Sequence, residues 1–469
     1  MRIMLFLISI LLPTAGGYVL VGGKTALSRV ERIVFSYFIG TGLLSFYVFY
    51  LILLNTPISI LSLLPFFAFF LIIGFFRWRK KLNAFPLPQR PRLPGLSSGR
   101  KIVFWLLVVL VLWKLIFMVF LALSGPTVFN DAFTCWTYKA KVIYYTHTAN
   151  MTSESEGVLQ GRYNNYPLHL PIIRAWIAFC LGQWDDRFIN LHSIILFLCL
   201  LCLVFEFLKK MTGALNAMIF TYVLSAIPVL IYNFSSGYAD ATVGCFFLAS
   251  LIMLFYWNET AQMRYLFFSG ILASVAMFTK NEGTAIVLPA LLLTFLMHLV
   301  FMRQRSWKQV LGSIGLFIIS LSLIVPWLMR SPALNSIAAV SGIDNAAVSF
   351  RPEGLGPLMN NLFVFRSHNL FWSGIIVLLV WKWRAALRHA ARFFLMPSAL
   401  ALCATIYVFL FTPNVAWLID GTTINRTLLI VIPVLALAGG LLFVPAGDSV
   451  VVVPHDRCTA VNEAGSGYR

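Results

Sequence analysis

Apolar runs of roughly 18 to 25 residues recur along almost the whole chain, each closed by basic or polar residues and each long enough to cross a hydrocarbon core of about 30 Å as a helix. Met4–Leu20, Val34–Leu54 and Ile58–Phe76 form a first group of three. The leading run, with Arg2 ahead of it, resembles a secretory signal. It lacks a small-residue cleavage site followed by a soluble domain, so it reads as a retained helix. A basic linker over 82–101, carrying Pro86, Pro88, Pro91 and Pro94, separates this unit (1–81) from a main body over 102–444. The main body opens with Ile102–Leu123, Phe188–Leu208, Leu215–Tyr232, Ala241–Trp257 and Tyr265–Phe278. It continues with Thr284–Phe301, Val310–Leu328, Leu370–Trp381, Phe393–Phe411 and Thr427–Val444. The pattern predicts an all-α polytopic membrane protein with about thirteen crossings. Its outer loops lie over 124–187, 329–369 and 412–426, and a cytoplasmic tail over 445–469. A first loop of about sixty residues is too long for a mere connection, and short interfacial helices are expected within it. Strand-type alternation is absent from the sequence, which excludes a β-barrel.

Composition agrees with the pattern. Apolar residues make up 60% of the 469 and charged residues 11%, less than half the share in ordinary soluble domains. The net charge of +19 raises the question of nucleic acid. Its distribution answers it: basic residues gather at alternate ends of the apolar runs, as the positive-inside rule requires, and no basic stripe lies on a soluble domain. Topology and lipid headgroups account for the charge, so nucleic acid is not an expected partner. Of the seven cysteines, Cys199, Cys202, Cys245 and Cys403 lie in apolar runs and read as small core residues. Cys135 and Cys180 both fall in the first outer loop and could pair there; sequence leaves that open.

On this topology Asp131, Lys139, Lys141, Asp240, Lys280, Glu282, Arg351 and Arg426 all face one side. Such a set suits single-step transfer of a sugar from a phosphate. A carboxylate takes the proton from the acceptor hydroxyl, and cations that neutralise the departing phosphate replace a general acid. Arg serves by a bidentate fork and Lys as a point charge. Asp131 is the candidate base, or else the N-cap of a surface helix. Lys139, Lys141, Lys280, Arg351 and Arg426 are candidate phosphate-side cations, or else solvated and snorkelling side chains. Asp240 and Glu282 are candidate second carboxylates; the alternatives are capping for Asp240 and a pair with Lys280 for Glu282. Trp136, Tyr138, Tyr166 and Trp417 are candidate sugar-stacking rings, although interfacial belts also predict aromatics there. His169 is a further contact candidate with a structural alternative. Lys114, inside a helix, requires a cavity or a partner.

Four segments carry a resemblance: Asn130-Asp131-Ala132 through Lys141, Tyr166 to Pro171, Gly237-Tyr238-Ala239-Asp240, and Thr279-Lys280-Asn281-Glu282-Gly283. Together they resemble bacterial membrane glycosyltransferases of the C-type superfold, in the family 39-like group related to dolichyl-phosphate-mannose protein mannosyltransferases. Thr412-Pro413, Trp417, Thr423 and Arg426 are similar to that group's C-terminal pattern. The resemblance covers about 102–444 and implies a polyprenyl-phosphate sugar donor with an acid in the first outer loop as base, a position that Asp131 matches. Where the family often has a second acid beside it, this chain has Asn130. The resemblance implies an inverting transferase of the bacterial inner membrane, acting on an envelope acceptor at the outer face. No cofactor is expected; relatives with pyrophosphate donors use a divalent metal, for which Asp240 or Glu282 would be the holders. Two other classes stay open: a transporter or flippase for lipid-linked sugars, and a scaffold subunit of an envelope assembly.

Overall fold

The computed structural model describes residues 1–23, 25–79, 97–148, 166–301, 306–330, 348–421 and 423–445. Most of the predicted linker and nearly all of the predicted tail lie outside these residues. Among the described residues all regular structure is helical. The chain forms α1 (Arg2–Val21), α2 (Arg29–Leu53), α3 (Ile60–Arg79) and α4 (Ser98–Ser124), then α5 (Tyr138–Thr146) and α6 (His169–Leu181). There follow α7 (Asp186–Thr212), α8 (Ala214–Ser225), α9 (Pro228–Ser236), α10 (Asp240–Thr260), α11 (Met263–Thr279), α12 (Leu288–Phe301) and α13 (Trp307–Leu321). Phe371–Trp381, His389–Phe411, Ile424–Thr427 and Ile432–Leu441 are the main later helices.

Nine of the described helices are long and apolar enough to span a membrane, or up to eleven if each of two bent pairs is one span. The protein is therefore a multi-pass membrane protein. The expected thirteen would also need α11 and Phe371–Trp381, which are shorter apolar helices. The bent pairs are α8 with α9, at 67°, and Ile424–Ile430 with Ile432–Leu441, at 50°. Each break carries a proline at the start of its second helix, Pro228 and Pro433, where a missing N–H costs nothing but the preceding helix cannot continue.

α10 is the axis of the bundle, since its whole apolar window is buried. At one end, Tyr256 Oη donates to Glu31 Oε1 at 2.8 Å and Lys210 Nζ pairs with Glu31, tying α10, the start of α2 and the end of α7 together. Sixteen residues back along α10, roughly 24 Å at about 1.5 Å per residue, Asp240 opens the helix on the opposite face. The two charged clusters are thus about a hydrocarbon thickness apart.

α1–α3 are built onto the body. α1 and α2 approach backbone to backbone: a Cβ at Gly17 would lie 1.9 Å from the Ser36 carbonyl, and one at Gly40 1.9 Å from that of Pro13. Tyr37 Oη meets His192 Nδ1 at 2.6 Å, and Trp176 Nε1 donates to the Ser9 carbonyl at 2.8 Å. The segment read as one long outer loop is largely structured in its described part, and α6 is almost wholly buried against α1, α2 and α5. Its thirteen residues reach only about 20 Å, too short to cross. Lys114 finds a partner: its ammonium sits 4.1 Å from the Tyr222 ring centroid, a cation–π contact between α4 and α8.

Candidate active site

Asp131, at the end of the segment leaving α4, precedes a π-helical turn, Ala132–Thr137, that leads into α5. It occupies the N-cap position, yet its side chain makes no capping bond. The carboxylate turns across to Arg426, with Oδ2 2.7 Å from a guanidinium nitrogen. Arg426 comes from the short helix Ile424–Thr427 before the second bend, and its guanidinium carbon lies 4.6 Å from the Tyr238 ring centroid. A cation thus reaches the segment after α4 from nearly three hundred residues along the chain.

The second half of the cluster lies at the mouth of α10. Ala241 N–H donates to Asn233 Oδ1 at 3.0 Å, so a side chain from α9 caps α10. Asp240 is freed from capping and accepts Lys280 Nζ at 2.7 Å; Glu282 meets the same ammonium at 2.5 Å. Lys280 sits where α11 gives way to extended backbone, ahead of the π-helical turn Gly283–Val287. Burial alone would push its pKa down, but the two carboxylates outweigh burial and hold the ammonium above the usual lysine range. Arg426 also lies within electrostatic reach of Asp240, which joins the two ion-pair groups into one cluster.

Arg174 fastens the cluster from behind, and sequence reasoning missed it. Fully buried on α6, it donates to Thr137 Oγ1 at 2.8 Å and to the Gly237 carbonyl at 2.5 Å. One planar fork thus locks the turn after Asp131 to the turn before Asp240. Gly237 has φ +76°, and a Cβ there would lie 2.4 Å from the Arg174 guanidinium. The only hint was an arginine inside an apolar run, where an unpaired charge would be prohibitive. Tyr238 and Asn233 were also missed, although Tyr238 lay within the Gly237–Asp240 motif.

Other expected site residues are placed elsewhere or otherwise engaged. Lys139 is 1% exposed and donates to the Tyr166 carbonyl at 3.0 Å. Burial pulls its pKa down to about 7, so it anchors backbone rather than presenting a fixed positive charge. Lys141 lies over the Trp184 ring at 5.6 Å. Trp136, expected to stack on a sugar, is 2% exposed and packs edge-on against Tyr166 at 5.4 Å between centroids. His169, expected as a contact residue, is fully buried with Nδ1 2.8 Å from Ser45 Oγ, a packing bond between α6 and α2. Tyr166 remains within electrostatic reach of Lys280, Glu282 and Asp131. Tyr138 is half-buried beside Phe133, and Arg351 is half-buried with its N–H donating to the Leu410 carbonyl at 2.8 Å. Trp417 is exposed on Val415–Ile419. Cys135 and Cys180 are free thiols and do not pair. Among the described residues no group of three or more His, Cys, Asp or Glu is arranged to hold a metal; Asp240 and Glu282 share Lys280 instead.

Of the three carboxylates in the cluster, Asp131 is the most exposed, Glu282 is partly exposed and Asp240 is buried. Arg426 pairs with Asp131, and Lys280 joins the same cluster through Asp240. Residues 168–329, about a third of the chain, match the family model described as dolichyl-phosphate-mannose-protein mannosyltransferase. The match contains Arg174, Asn233, Tyr238, Asp240, Lys280 and Glu282, and it supports a membrane glycosyltransferase of the C-type superfold acting with a lipid-linked donor. No curated protein and no solved structure matches the chain.

Proposed function

We propose, with the mannosyltransferase-related stretch at 168–329 as premise, that this protein transfers a sugar from a polyprenyl-phosphate donor to an envelope acceptor, whether lipid, glycan or protein. The reaction takes place on the extracytoplasmic face of a bacterial inner membrane, by one inverting displacement. The observation that carries the reading is the Asp131–Arg426 pair at 2.7 Å, set against the Asp240–Lys280–Glu282 group. A base and phosphate-neutralising cations from distant parts of the chain meet on one face.

In the proposed step Asp131 accepts the proton of the acceptor hydroxyl, whose oxygen attacks the anomeric carbon from the side opposite the phosphate. The bond from that carbon to the phosphate oxygen breaks, and its electron pair leaves on the polyprenyl phosphate. Arg426 and Lys280 neutralise the charge that grows there, so no protonated leaving group is required. Both cations are matched by carboxylates, which keeps a buried cluster of charge tolerable, and the donor phosphate would share them. Asp240 and Glu282 then hold Lys280 in place, and Tyr238 supports the Arg426 plane.

A transporter or flippase for lipid-linked sugars is the second reading. It is favoured by the two broken spans that end beside the charged cluster. Purified protein in proteoliposomes with a labelled polyprenyl-phosphate sugar separates the two. The enzyme reading expects label on an acceptor with its anomeric configuration inverted; movement of intact donor across the bilayer without transfer would replace it.

A further inference from the structure

A cleft of about 540 Å³ opens at the same end of the bundle as the candidate site, but not at Asp131. It is lined by Arg2 at the start of α1, Ser124, Gly125 and Pro126 at the end of α4, and Gln183 through Arg187 at the turn from α6 into α7. The size falls within the range of small-ligand sites. Its chemistry is balanced. Arg2 Nη1 lies 3.4 Å from Asp185 Oδ2 and Arg187 Nε lies 3.3 Å from Asp185 Oδ1, while Asp186 Oδ1 accepts Trp184 Nε1–H at 2.5 Å. Gln183, with its amide oriented to suit its neighbours, accepts from Arg2 Nε and Nη2 at 3.1 and 3.0 Å.

The two arginines and two aspartates of the lining balance each other, and Lys141 over the Trp184 ring adds a single positive charge beside it, less than the cluster of cations that a phosphate or an anionic headgroup calls for. The lining holds both donors, on Arg2, Gln183 and Arg187, and acceptors, on Gln183, Asp185 and Asp186, around the Trp184 ring. That combination fits a neutral polyhydroxylated ligand, whose hydroxyls both donate and accept and whose C–H face packs on indole. Trp184 is fixed for the purpose: its N–H is held by Asp186 and its ring has Lys141 at 5.6 Å and Tyr144 at 6.0 Å between centroids. The segment from Pro126 to Asp131 joins the cleft to the candidate base. Five residues span at most about 18 Å, so a ligand seated in the cleft reaches toward Asp131 within a few sugar rings.

We infer that this cleft is a saccharide subsite that holds the neutral glycan part of the acceptor while its terminal hydroxyl is presented to Asp131. The inference rests on the transferase reading above and narrows its acceptor to one that carries sugar.

The test uses the full-length protein in detergent micelles and ligand-observed saturation-transfer NMR. The probes are neutral di- and trisaccharides of glucose, mannose and N-acetylglucosamine, with inorganic phosphate and anionic phospholipid vesicles as competitors. At least one neutral saccharide should bind, and Trp184→Ala and Gln183→Ala should each weaken it by about tenfold. The competitors should not displace it. Circular dichroism and thermal unfolding of both cleft variants establish that they are folded. Absence of binding by every saccharide, displacement by phosphate or anionic lipid, or undiminished binding in both folded variants would each overturn the assignment. Saccharide binding that meets these criteria in a protein without transfer activity would sink the transferase reading and leave the subsite. Transfer whose acceptor KM is unmoved by the cleft variants would do the reverse.

Discussion

Asp131→Asn removes one proton-accepting oxygen and nothing of the side chain's volume, and the structure separates its effect on rate from its effect on folding. The Asp131 side chain is 40% exposed while its partner Arg426 is 16% exposed. A pair with one end that open to solvent contributes about 0–1 kcal/mol to folding. Arg426 keeps the Tyr238 ring and the field of Asp240 when Asp131 is neutralised, so no buried cation is left bare. Loss of a general base costs about 10² to 10⁴ in rate, which is roughly 2.7 to 5.4 kcal/mol of barrier at 1.36 per decade. The expected outcome is therefore a variant that unfolds within a few degrees of wild type and transfers sugar at least about a hundredfold more slowly. Initial rates with a labelled polyprenyl-phosphate sugar, beside thermal unfolding in the same detergent, make the comparison. Asp131→Glu should retain part of the rate, since its carboxylate survives one methylene further out. Transfer by Asp131→Asn within about threefold of wild type would refute the base assignment, because a general base typically contributes about a hundredfold or more. A collapse in thermal stability would refute the argument from exposure.

Three further outcomes concern the cluster and the buried residues around it. Lys280→Met leaves Asp240, whose side chain is 3% exposed, without its cation; it should cost about 3–5 kcal/mol, and adding Asp240→Asn should recover part of that in chemical denaturation. Gly237→Ala meets both an unfavourable φ of +76° and a Cβ contact of 2.4 Å with Arg174; it should lower transfer and cost about 1–3 kcal/mol, whereas the same change at Gly356, which has nothing near, should be tolerated. Lys139 titrates near pH 7 when folded and near 10.4 when unfolded, so between those values the unfolded chain binds the extra proton. Wild-type stability should therefore rise with pH through that window and be lowest below about pH 7, and Lys139→Met should lose that slope in melts at pH 6 and pH 9. Equal slopes in the two proteins would contradict the burial of this lysine.

Much of the architecture was legible because a bilayer imposes its own rule on sequence. Every backbone group in the hydrocarbon must be satisfied within its own segment, so long apolar runs can only be helices, and their length is measured against one thickness. Val34–Leu54, Phe188–Leu208 and Ala241–Trp257 were readable for that reason and became α2, α7 and α10. The motif residues Asp131, Asp240, Lys280, Glu282 and Arg426 stood out as charges at the ends of such runs, and the structure draws them into one cluster.

Tertiary packing decided the remainder. Nothing in the local pattern distinguishes a lysine that faces a cluster, such as Lys280, from one folded inward onto a carbonyl, such as Lys139. That difference depends on which helix happens to pack opposite, as it does for His169 against Ser45 and Lys114 against Tyr222. Hydropathy marks α6 as apolar, but only its neighbours α1, α2 and α5 account for burying a helix too short to cross, and only that burial lets Arg174 reach Thr137 and Gly237. The sequence by itself determined which segments are apolar enough to enter a membrane and which side chains carry charge, because both follow from transfer between water and lipid, one segment at a time. Which charges meet was decided by the bends at Pro228 and Pro433 and by helix-to-helix contact, because pairing energies depend on distances between residues hundreds of positions apart.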